Sequence, residues 1–283
     1  MIRRIREGLV TRLQSLPRRA RTRGSRASVS REQVFLSTVS GNKIVAYIYE
    51  ASKKVRRPAV LLVPGTNDSA AVFDGWSQPI NARELAARGW VVMTFDPPGR
   101  GGSWGEEEYG GLEQQAAVCA ALKHLELRGG VDSARIGVLS ISLGIGMACG
   151  ALAANPDLAA QWLLDWEGPS DREIITSGQR IMTPAMGHSM DDEVYWAPRE
   201  ARNHVGKLTC GYWRIQAQPD HAQGSDVRHA ERMVGAAKRG DLPWFQLNHH
   251  SRGDHPSSPT YFEGGRLAAN RALLSALGQL QGK

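Results

Sequence analysis

Two serines stand between an apolar run and a glycine-rich one in VLSISLGIG, residues 138–146. A serine hydroxyl can attack an acyl carbon when it is lifted out of the chain on a sharp strand-to-helix turn and a base lies within reach. Such a turn crowds the backbone, and small residues two before and two after the serine relieve the crowding. Ser142 has Ser140 before it and Gly144 after it. Ser140 has Val138 and Ser142, a poorer fit. Ser142 is therefore the candidate nucleophile, and Ser140 is the small residue that makes room for it.

The serine needs elements to hold it. VFLSTVSGNKIVAYIYEA alternates apolar and polar residues around Ser40-Gly41-Asn42, which predicts a β-hairpin. RPAVLLVPG and VVMTFD are continuous apolar runs of the kind that suits strands buried on both faces. INARELAARGW between them reads as a helix stopped by Gly89. LEQQAAVCAALKHLEL follows as a long helix, then RIGVLSIS as a strand and LGIGMACGALAANP as a helix. AAQWLLDW, YWRIQAQPD and PWFQLNHH read as three more strands, with DVRHAERMVGAAKR helical between the last two and GGRLAANRALLSALGQL as a closing helix. His249 and His250 are expected to continue the last strand. The alternation predicts an α/β fold: a mostly parallel, doubly wound sheet with an antiparallel hairpin at its start. About forty residues, 168–206, interrupt it and are expected to form an inserted cap. In such a sheet ligands sit at the carboxyl ends of the strands, where RIGVLSIS meets LGIGMACG.

LLVPGTND, FDPPGRGGS, LSISLGIG and RIQAQPDHA, taken in this element order over residues 32–283, resemble the α/β-hydrolase family. The resemblance implies a nucleophile–acid–histidine order along the chain. It places the acid just past a late strand, at Asp220, with Asp165 and Glu167 in LLDWEG as competitors. It places the base beyond the last strand, where FQLNHHSRGDHPSS offers His249, His250 and His255. His255 is preferred, because Gly253-Asp254 can re-aim the chain there. Two backbone N–H groups would hold an oxyanion: that of Leu143, directly after the serine, and that of Thr66, after Pro64-Gly65. The family's usual histidine before that glycine is replaced by Pro64. Asp96 is read as structural, tying a turn near the site. A serine nucleophile argues against the aspartate-dependent dehalogenase and epoxide-hydrolase branches.

The chain carries a formal charge of +7, unevenly spread. Residues 1–31 hold ten arginines and one acid, a net +9, which leaves −2 for the rest. A nucleic-acid groove in the body is therefore not implied. Ile2, Ile5, Leu9, Leu13 and Leu16 form one stripe at helical spacing, ended by Pro17, and an Arg/Ser-rich linker follows. Residues 1–31 read as an amphipathic leader with a possible contact through residues 1–16 to an anionic membrane surface. No apolar run approaches the roughly 20 residues of a membrane span, so the location expected is cytoplasmic or peripheral to a membrane. Cys119, Cys149 and Cys210 lack CxxC spacing and read as buried core residues in a reducing compartment. No cofactor is implied. His249, His250, Asp254 and His255 lie in one loop without a second ligand cluster, so no metal is expected. The expected activity is hydrolysis of a small-molecule acyl bond, foremost a carboxylic ester, by Ser142, Asp220 and His255; the same triad would also serve a thioester or a short peptide. The rival is a catalytically silent member of the same fold that binds a membrane or a partner.

Overall fold

The structure is a computed structural model. It describes residues 28–51, 55–75, 80–178, 187–221, 223–224, 226–248, 250–251, 262–263 and 265–282. The leader helix, His249 and His255 lie outside the described residues.

The first strand, β1 (Val29–Ser37), turns at Gly41 and pairs with β2 (Lys43–Ala51) in the expected antiparallel hairpin. β1 begins inside the stretch read as linker. Next come β3 (Arg57–Val63), α1 (Ala82–Ala87) and β4 (Val91–Phe95). Every residue of β3 and β4 is buried, which is why these runs carry no polar alternation. α2 (Leu112–Leu127), β5 (Val131–Ile141), α3 (Gly144–Ala154) and β6 (Trp162–Trp166) follow.

After α4 (Arg172–Gly178) and the single turn α5 (Glu193–Trp196), the chain re-enters the sheet as β7 (Gly211–Ile215). A two-residue strand β8 (Ala217–Gln218), α6 (Arg228–Arg239), β9 (Phe245–Leu247), β10 (His250–Ser251), β11 (Phe262–Glu263) and α7 (Gly265–Leu280) complete it.

The main sheet has nine strands in the order β1-β2-β4-β3-β5-β6-β7-β9-β10. It is parallel from β4 to β9 and antiparallel at both margins. One face packs against α2, α3 and α6, and the other against α1 and α7. This is the doubly wound arrangement the alternation predicts. Adjacent parallel strands are joined through helices, so the carboxyl ends of β5, β6 and β7 share one edge.

One expectation fails at the last strand. β9 ends at Leu247, not at the histidines. Asn248 takes a positive φ of 52°, a conformation that asparagine tolerates. The chain reverses there, and His250 pairs back against Leu247. His250 thus sits on a return strand rather than on a continuation of β9.

Candidate active site

Ser142 follows β5 directly and has φ = 52°, left-handed backbone that a residue with a side chain adopts only under constraint. Three contacts supply that constraint. The Ser142 N–H donates to the Trp166 carbonyl at the end of β6, at 3.0 Å. Its own carbonyl accepts from the Ile145 N–H at 3.1 Å, which starts α3. The β3 end presses in from the other side. A side-chain carbon placed at Gly144 would lie 2.6 Å from the Pro64 carbonyl oxygen, and one at Gly65 would lie 3.2 Å from Ser142 Cβ. Only glycine fits Gly144. Ser140 is wholly buried and its hydroxyl has no hydrogen-bond partner. It fills space, and the half-buried Ser142 is the serine that reaches the edge.

The expected oxyanion donors lie on the two segments that converge here. Leu143 follows the serine at the start of α3, and Thr66 follows Gly65. Their loop is braced from β4. The buried Arg100 guanidinium donates to the Gly65 carbonyl at 2.5 Å and to the Asp68 carbonyl at 3.2 Å. Arg100 is itself clamped by Glu107, through Nε and through Nη2, the latter at 2.9 Å. Burial would raise the Glu107 carboxyl, but the Arg100 hydrogen bonds and charge outweigh it and hold the group below its ordinary value. Asp96 accepts from the Ala70 and Gly102 N–H groups, both at 2.9 Å, which is the turn-tying role read from the sequence. Burial pushes Asp68, beside the same loop, above the usual carboxylate value, with Arg100 acting against the rise.

The inserted residues lie against this turn. Ile175 of α4 and Trp196 of α5 pack on Leu143, with Tyr109 and Tyr195 at the margin. Arg172 joins the two parts of the segment through Glu200 at 2.6 Å and Glu193 at 2.8 Å.

Asp220 stands just past β7 and β8, as expected, with its carboxylate buried. One of its oxygens accepts from the Gln223 N–H. The other lies 2.8 Å from His229 Nε2 and accepts from Gln216 at 3.2 Å. The geometry at His229 Nε2 does not meet that of a hydrogen bond. His229 Nδ1 accepts from Arg214 at 2.9 Å, and Arg214 pairs with Asp165 at 2.5 Å. Both members of the Asp165–Arg214 pair are fully buried, and Tyr212 completes the Asp165 shell at 2.7 Å. Asp165, weighed as an acid for the site, is thus committed to the interior. Burial opposes the charge on Arg214, but Asp165 overcomes it and holds the guanidinium above its ordinary value.

The structure also brings together a pair that sequence reasoning missed. Glu167, next after β6, has φ = 52° and a buried carboxylate. It accepts from the Ala217 N–H at 2.8 Å, the His221 N–H at 3.1 Å and His221 Nδ1 at 2.6 Å. The His221 imidazole lies on the Trp166 ring, centroids 5.1 Å apart. Glu167 and His221 are 54 residues apart, so only the β6–β7 register could have revealed them. The cysteines offer no competing nucleophile. Burial pushes the Cys210 thiol up to about 12, that of Cys149 well above its usual value, and raises Cys119 as well.

No family model and no curated protein matches the sequence. Solved structures do match. A puromycin hydrolase superposes with a TM-score of 0.68 at 17% identity, over 91% of this chain and 40% of that one. The Pyrococcus furiosus esterase Pf2001 gives 0.63 at 18%, over 89% and 91%. An acylaminoacyl peptidase in complex with a chloromethyl ketone gives 0.64 at 13%, over 89% and 42%. The chain spans about two fifths of the puromycin hydrolase and nearly all of the esterase. At these identities the likeness speaks for architecture, and together with the sheet order and the turn at Ser142 it identifies the α/β-hydrolase fold.

Proposed function

We propose that the chain is a serine hydrolase that cleaves a carboxylic ester of a small molecule, with Ser142 as nucleophile. The observation that carries this reading is the strained backbone of Ser142 at the carboxyl edge of β5, wedged by Gly65 and Gly144. Strain of this kind persists only where the surrounding structure over-determines it, and it clusters at reactive sites. The Leu143 and Thr66 N–H groups would receive the negative charge that develops on the carbonyl oxygen. A histidine braced by a carboxylate would take the serine proton. The resemblance names Asp220 with His255 for those places. Residues 168–206 would act as the cap over the acyl pocket. The Pf2001 esterase, which matches over nearly its whole length, supports an ester. Peptidases share the fold as well, and an amide bond is the competing substrate.

The test is labelling of the intact chain with a fluorophosphonate, followed by mapping of the modified residue and turnover of p-nitrophenyl acetate. Modification at Ser142 with ester turnover is expected. A chain that neither labels nor turns over is a silent member of the fold.

A further inference from the structure

We propose that Asp68 binds an ammonium group of the substrate, so that the ester cleaved at Ser142 carries a primary amine on the carbon next to its acyl carbon. This rests on the serine-hydrolase reading and names the substrate class of that site. Four observations lead there.

The first is position. A side-chain carbon placed at Gly65 would lie 3.2 Å from Ser142 Cβ and 3.6 Å from Asp68 Oδ2. One point thus adjoins both side chains, and the carboxylate is no further from Ser142 Cβ than the sum of those two distances. Asp68 is half-buried, so part of it remains open to a ligand.

The second is the state of its carboxylate. Two other carboxylates brace the loop after β3, and both are engaged. Asp96 accepts from the Ala70 and Gly102 N–H groups. Glu107 accepts from Arg100, from the Tyr109 N–H at 2.6 Å and from Gln114 at 2.8 Å. Among the described residues no donor is directed at the Asp68 carboxylate, and it forms no ion pair. Arg100 acts on it through its charge, but gives its N–H groups to the Gly65 and Asp68 carbonyls and to Glu107.

The third is electrostatic. Attack on the ester builds negative charge on the carbonyl oxygen, which the Leu143 and Thr66 N–H groups would receive. A bare carboxylate two residues beyond Thr66 opposes that charge, and burial without a counter-ion opposes the carboxylate itself. An ammonium brought by the substrate relieves both.

The fourth is reach. A reacting carbon approaches the serine oxygen to about 3–3.5 Å. A charge-assisted hydrogen bond from an ammonium to a carboxylate is about 2.7–2.9 Å long. An amine one carbon from the acyl carbon lies between those two contacts and bridges the short gap that the Gly65 point marks. A primary ammonium has three N–H donors to aim there.

The experiment compares L-alanine methyl ester with methyl isobutyrate, in which a methyl group takes the place of the ammonium, on the wild-type chain and on Asp68→Asn. At about pH 6.5 the amine keeps its proton, since α-amino groups titrate at roughly 7.7–8.0. The wild-type chain is expected to favour the alanine ester by about 10–100-fold in kcat/KM, the range of a hydrogen bond to a charged group. Asp68→Asn should bring that ratio to about one. Asparagine keeps the shape of aspartate and removes its charge, and Asp68→Ser serves should that variant not fold. A second measurement needs no turnover: L-alaninamide should slow fluorophosphonate labelling of Ser142 more than isobutyramide does, and should lose this advantage in the variant. A wild-type chain with no preference for the amine in either measurement overturns the proposal. So does a preference that the variant retains. So does an equal loss on both esters, which moves Asp68 into the oxyanion site. Absence of fluorophosphonate label at Ser142 in the wild-type chain removes the hydrolase reading itself rather than the substrate class.

Discussion

Ser142 and Ser140 are the same residue type two positions apart, and their environments divide the labour. Ser140 lies in the sheet with nothing to bond. Ser142 lies beyond it, turned outward by its left-handed φ. Ser140→Ala is expected to leave ester turnover within a few-fold, since a methyl group replaces an unpartnered hydroxyl in a buried space. Ser142→Ala should cost about 10⁴–10⁶ in turnover at unchanged melting temperature. Reversal of that order in a p-nitrophenyl ester assay would move the nucleophile to Ser140. This part of the site was legible in the sequence, because the turn demands small residues at fixed offsets and Gly144 supplies one. The Glu167–His221 pair was not. Its partners meet through strand register, and no spacing along the chain encodes them. The reversal at Asn248 was also overlooked, because FQLNHH reads as a run of strand formers unless the asparagine is given its left-handed tolerance.

At the scale of elements, the loop after β3 and the turn after β5 must meet for an oxyanion site to form, and Arg100 on the loop after β4 ties the first of these down. Without Arg100 the Gly65 and Asp68 carbonyls lose a donor, and Glu107 is left with a half-buried charge. Arg100→Ala is therefore expected to lower kcat by about 10²-fold with little change in KM, of the order seen when one oxyanion donor is lost. Arg100→Lys should recover only part of it, since an ammonium cannot span two carbonyls and a carboxylate as a planar fork does. Steady-state kinetics of the two variants provide the check. The order of strands and helices came through from the alternation of apolar runs. The short elements β8, β10 and β11, of two residues each, leave too little pattern to be read.

For the whole molecule, the charge division is the feature to explain. The leader carries +9 and the remainder −2. Because β1 begins at Val29, removal of residues 1–27 spares the sheet. We propose that the leader attaches the protein to anionic lipid surfaces. The truncated chain should then hydrolyse soluble esters at the full-length rate and sediment less with vesicles containing phosphatidylserine. The difference should shrink as salt rises, because screening shortens the reach of exposed charge. Equal sedimentation of both chains at low salt removes the membrane role. Among the described residues no helix is long and apolar enough to cross a membrane.

The hydrogen bond from Ser142 to Trp166 has a consequence for how the reactive group comes into being. The turn is short, but its strain is held by a strand 24 residues further along and by a loop some 77 residues earlier. Contacts of that separation form late, since loop closure must be met before they stabilise anything. A nascent or partly folded chain therefore carries Ser142 as an ordinary alcohol. Chemical competence arrives only with the docking of β3 and β6 on β5, so the hydroxyl is a reporter of the assembled sheet.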